Sequence, residues 1–185
     1  MRTITSRKIA SREIQTPVAI RDVVFHKCSF DGRTLSDRIA GPDQAATLQD
    51  VTFDRCSFDK NCGVAGGGVL MADQIAVFDA ARKRCYEAVE WALDIRTARF
   101  KAFDMDDSVP AQAVRVNNVD QVIVDVRRID KTALPAMDRL TGAFRSMIRM
   151  AGDTVVLVAA MLNKRRAEQE LRAIEFLQTE GFTVG

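Results

Sequence analysis

The sequence predicts a mainly β fold with a helical C-terminus: a short parallel β-solenoid of about five coils capped by two helices. Three observations lead there. Residues 20–31 and 48–59 repeat one another, the same apolar template recurs at near-constant spacing further along, and the apolar period turns helical after residue 131.

Residues 20–31 read IRDVVFHKCSFD and residues 48–59 read LQDVTFDRCSFD, sharing Asp, Val, Phe, Cys, Ser, Phe and Asp in register. Apolar residues occupy relative positions 0, 3, 5, 8 and 10 in both: Ile20, Val23, Phe25, Cys28, Phe30, then Leu48, Val51, Phe53, Cys56, Phe58. Ile95, Ala98, Phe100, Phe103 and Met105 match at all five positions. Val119, Val122, Val124 and Ile129 match at four, and Ala72, Ile75, Val77 and Ala80 form a degenerate copy. The starts at 20, 48, 72, 95 and 119 lie 23 to 28 residues apart, a spacing suited to stacked coils. A 3, 2, 3, 2 spacing describes two short extended segments meeting at a corner, each turning alternate side chains inward; a helical stripe would step by 3 and 4. Stacking then places Phe25 on Phe53 and Cys28 on Cys56. Residues 79–93 compete with this pattern, because they combine helix formers with Asp79 as an N-cap. A helix interrupting the third coil is the alternative there.

The segments VVFHK-CSFDG and VTFDR-CSFDK each resemble two tandem pentapeptides of the pentapeptide-repeat family, with ARFKA and VIVDV as weaker copies, over residues 20–130. The resemblance implies a right-handed quadrilateral β-helix, often dimeric through its C-terminal end. Some members of that family mimic DNA and shield topoisomerases through an acidic surface. Residues 1–130 carry 19 basic and 19 acidic side chains, so this chain departs from that requirement.

Residues 1–131 are therefore assigned to the solenoid and 132–185 to a helical cap. Leu134, Met137, Leu140, Phe144, Met147 and Ile148 lie 3 or 4 apart, and Pro135 suits a first helical turn. After Gly152, Asp153 is expected to cap a second helix running to about Glu180, with Gly181 and Phe182 as a Schellman ending. The first half of that helix, TVVLVAAML, is apolar on every side. Such a surface needs cover, which points to a homodimer with Val155, Val158, Met161 and Leu162 at its interface.

The net charge of +2 selects neither polyanion nor polycation. The longest apolar run, Val155 to Leu162, is eight residues, against roughly 20 for a bilayer span. No apolar segment follows the N-terminal charges as export would require. Four cysteines without a CxxC pair, and one histidine, supply too few ligands for a zinc site, and no cofactor motif is present. Reduced thiols in a cytoplasm follow.

Position 11 of the aligned copies carries Asp31, Asp59, Lys83, Asp106 and Asp130. A glycan-acting enzyme would use two such carboxylates, Asp59 with Asp31 or Asp106; turn-forming Asp residues are the plainer reading. His26 aligns with Asp54, without an identifiable nucleophile to complete a triad. Cys28 and Cys56 sit inward as small hydrophobes. The glycines of GVAGGG (63–68) lack the Lys-Ser/Thr of a phosphate loop. Basic clusters Arg82-Lys83-Arg84 and Lys164-Arg165-Arg166 allow nucleic-acid contact, but acids lie close by. The 32–47 loop, with Arg33, Asp37, Arg38 and Asp43, is the longest excursion from the scaffold. A non-enzymatic protein that binds another macromolecule through its coil face or this loop, in the manner of a bacterial or phage inhibitor or immunity factor, is the leading expectation, with a protein as partner.

Overall fold

The computed structural model describes residues 2–10, 20–31, 35–36, 48–65, 80, 84, 86–87, 89–105 and 109–184. Two parallel sheets and one antiparallel sheet carry the fold. The first sheet is formed by β1 (Arg2–Thr5), β3 (Ile20–His26), β6 (Leu48–Asp54), β8 (Leu93–Asp94) and β10 (Val114–Arg115), in that order. The second holds β2 (Lys8–Ala10), β4 (Ser29–Asp31), β7 (Ser57–Ala65), β5 (Leu35–Ser36) and β9 (Arg99–Met105), with β9 also on β7. Each of the first four passes of the chain adds a strand to the first sheet and then to the second, β5 follows β4 within one pass, and β10 joins the first sheet alone. Arg2, Val23, Val51, Leu93 and Val114 fall in one column.

The turn between the sheets has a fixed chemistry. Ser6, Lys27 and Arg55 stand at φ 51, 52 and 53°, a left-handed conformation that costs a non-glycine residue about 1–2 kcal/mol. Backbone bonds between passes offset it: Ser6 N donates to His26 O at 2.9 Å and Lys27 N to Asp54 O at 2.9 Å. Inward side chains form columns between the sheets. Phe25 stacks on Phe53 (5.2 Å, 8°), and Phe58 on Phe100 (4.6 Å, 12°). Cys28 and Cys56 are buried beside them.

A different sheet closes the end. β11 (Gln121–Asp125) lies between β12 (Thr154–Val158) and β13 (Thr183–Val184), antiparallel to both. Ile123, Val156 and Val158 join the core of the parallel sheets. Val122, Val124, Val155 and Leu157 join a second core with Leu134, Phe144, Ile148, Ile174 and Leu177. That second core is covered by α1 (Gly142–Met150) and α2 (Lys164–Thr179). Thr141 caps α1, its hydroxyl accepting from Phe144 N at 3.2 Å. Asn163 caps α2. Gly181, at φ 73°, ends α2 with Phe182 N donating to Leu177 O and Gly181 N to Gln178 O, the expected Schellman pattern.

Several sequence expectations are corrected. The apolar run after Asp153 is the strand β12, buried on both faces, and the helix begins only at Lys164. Val155 and Val158 are therefore covered by the chain itself, Met161 is half-buried, and Leu162 is 36% exposed, so the argument for a dimer through an apolar helix loses its basis. The 119 copy is not a parallel coil: Val119 is 71% exposed and β11 pairs antiparallel. The change of architecture falls between Arg115 and Gln121, ahead of residue 131. In the first sheet β6 pairs directly with β8, Val51 with Leu93; of the 72 copy, Ala72, Ile75 and Val77 lie outside the described residues, and at positions 80, 84, 86 and 87 the chain is helical. A first strand pair, β1 and β2, precedes the earliest expected copy. The helix expected from Leu134 is split into a 3₁₀ turn (Leu134–Ala136) and α1.

Candidate functional site

The alternation that buries Phe25 and Phe53 turns their neighbours outward on the first sheet. In register these form two rows, Thr3, Val24, Thr52, Asp94 and Arg115, and Thr5, His26 and Asp54. Polar partners then tie this face together across strands. His26 Nδ1 donates to Asp54 Oδ2 at 2.6 Å. The Thr97 hydroxyl donates to Asp54 Oδ1 at 3.0 Å and accepts from Arg55 N at 2.9 Å. The hydrogen bond from His26, with help from Thr97 and the positive charge of Arg55, holds the Asp54 carboxyl below the usual carboxylate range.

Asp94 is buried and clasped by the next outward residue, Arg96: Nε donates to Oδ1 at 3.0 Å and Nη2 to Oδ2 at 2.6 Å. The same Asp-x-Arg clasp recurs where β11 ends, with Arg127 Nε and Nη2 on Asp125 at 2.8 and 3.0 Å. At the last strand, Arg115 lies 4.6 Å over the Trp91 ring and donates to Glu90 at 2.9 Å. Sequence reading found the His26–Asp54 alignment but missed Thr97, Arg96 and the Glu90–Trp91–Arg115 group. The Asp-x-Arg spacing after a strand was the available signal.

Chemically the arrangement orients and neutralises charge. Among the described residues no hydroxyl or thiol hydrogen-bonds the His26 imidazole, the Cys28 thiol donating only to the His26 backbone carbonyl at 3.6 Å, so the pair lacks the nucleophile of a triad. Cys56 donates its thiol to Phe25 O at 3.1 Å, and burial pushes its pKa up to about 12. Such a thiol is a poor nucleophile. Among the described residues no three His, Cys, Asp or Glu side chains are grouped to hold a metal ion. No helix of the described residues is long and apolar enough to cross a membrane.

The carboxylate row does not form as aligned. Asp31 and Asp59 follow the paired Phe30 and Phe58. Beyond them the β7–β9 register shifts between Phe58 and Asn61, and Val64 is what faces Met105. Asp106 lies outside the described residues. Asp130 serves its own turn, accepting from Thr132 N at 2.9 Å and its hydroxyl at 2.7 Å. Arg33, Asp37, Arg38, Asp43, Arg82 and Lys83 lie outside the described residues, and Arg84 is exposed. Lys164 and Arg165 are exposed at the start of α2, while Arg166 is bound to Glu170 at 2.6 Å. No protein-family model, curated protein or solved structure matches this chain.

Proposed function

We propose that this chain is a binding protein of the inhibitor or immunity type, built on a short β-solenoid, whose outward first-sheet face docks a protein partner. The two parallel sheets, built up strand by strand over the first four passes, support the solenoid reading. The likeness of residues 20–31 and 48–59 to pentapeptide repeats supports a right-handed one. The buried free thiols of Cys28 and Cys56 support a reducing, cytoplasmic setting.

The observation that carries the docking reading is the tying of the outward polar side chains, across strands and, at Asp94, within one pass. His26, Asp54 and Thr97, then Asp94 and Arg96, then Glu90, Trp91 and Arg115 are already held in one geometry. A partner that meets them orders few rotamers, and each immobilised long side chain spared is worth about 0.5–1.5 kcal/mol. Arg and aromatic groups also supply the anchors typical of protein interfaces. Both signs of charge alternate along the face, which suits a protein better than a polyanion.

The test is tagged capture from extract of the native host, comparing wild type, the face variant T52R/R115E and the control E168K on exposed α2. The expected result is a stoichiometric protein partner that the face variant loses and the control keeps, with all three folded by circular dichroism. Equal capture by wild type and the folded face variant would overturn the proposal.

A further inference from the structure

A cavity of about 720 Å³ lies between residues 138–141, the first turn of α1 and one face of α2. Three guanidinium groups from three separate elements line it: Arg139 from the loop, Arg145 from α1 and Arg172 from α2. Arg145 is anchored by donating to Met137 O at 3.2 Å, and Arg139 lies 5.5 Å over the Phe176 ring. None of the three is ion-paired among the described residues, whereas Arg96, Arg115, Arg127, Arg128 and Arg166 each hold a carboxylate. The carboxylates of Asp138 and Glu175 also line the cavity and leave the guanidiniums in excess.

The helix start adds donors without obstruction. The first turn of α1 holds no acid, and a Cβ on Gly142 would meet nothing within 4 Å, so the backbone there faces open space. Helix N-terminal amides and guanidinium forks favour an anion with several acceptor oxygens. A carboxylate offers two acceptor oxygens and a phosphate monoester three, which matches three guanidinium forks better. Phe176, half-buried, supplies an apolar surface beside them. The volume falls in the range of small-ligand sites.

We infer that this cavity binds a small phosphate monoester, its phosphate held by Arg139, Arg145 and Arg172 and its organic part resting beside Phe176. Calorimetric titration of the full chain at low salt tests it, with phenyl phosphate, inorganic phosphate and benzoate as probes. Phenyl phosphate should bind most tightly, and R139Q/R172Q, at two exposed positions, should weaken it by at least about tenfold. In ¹⁵N spectra the Gly142 and Ala143 amides should shift with the same midpoint. Absence of binding to wild type, undiminished binding to R139Q/R172Q, or benzoate matching phenyl phosphate would each overturn the inference.

Discussion

Cys56 sits against the Phe25 carbonyl with its pKa pushed up to about 12, so at pH 8 it carries almost no thiolate. Native protein treated with iodoacetamide should leave the Cys56 peptide unlabelled, and urea should expose it to labelling; labelling under native conditions would contradict the burial. Asp54 behaves differently. Its folded pKa lies below the unfolded value, so its contribution to stability is present above about pH 3.9 and is lost as pH falls through the lowered value. Asp54→Asn should therefore be less stable than wild type near pH 7, with the gap closing towards pH 3 in urea titrations. Glycines separate by backbone. Gly142→Ala removes only unfolded-state freedom and should stabilise by about 0.5–1 kcal/mol, while Gly181→Ala forces a Cβ into φ 73° and should cost about 1 kcal/mol. At this scale the sequence was informative about inwardness: Phe25, Cys28, Phe53, Cys56 and Phe58 are all buried as their spacing implies. It was silent about polar partners, because a clasp such as Asp94 with Arg96 depends on which face each turn presents.

Among the elements, legibility fails where two readings share one pattern. Spacing of 3 and 2 repeats every five residues, so the copy starting at 95 fits its neighbours equally well after a five-residue shift. All its apolar residues are buried as expected, yet Phe100 pairs with Phe58 and not with Phe53. The segment at 155–162 fails for another reason. A continuous apolar run fits a buried strand and a buried helix alike, and the three valines of β12 were the signal for the strand. Phe58, fully buried between Phe53 at 5.2 Å and Phe100 at 4.6 Å, should cost about 3–5 kcal/mol on substitution by Ala, read from chemical denaturation. Glu170 on α2 accepts from Ala160 N at 2.7 Å and Arg166 at 2.6 Å in full burial. Glu170→Ala strands the Ala160 amide and should cost about 1–3 kcal/mol.

For the whole molecule the decisive element is the antiparallel sheet, which gives one face to each core. Trp91 reports on the parallel sheets and the far-ultraviolet helix signal on the cap. Because β11 and β12 are common to both, the two signals should lose structure at the same urea concentration; separated midpoints would mean two independently unfolding units. The pairing of this wall was not legible in the sequence, since its strands β11, β12 and β13 are brought together from distant parts of the chain. The five-residue self-similarity of the inward positions has a genetic side as well. Gaining or losing five residues inside a strand such as β9 carries its buried Phe100, Phe103 and Met105 to the next inward place, whereas gaining one turns Phe103 into water. Descendants of this gene should accordingly lengthen or shorten these strands in steps of five codons, and vary freely in length only where the chain leaves the sheets.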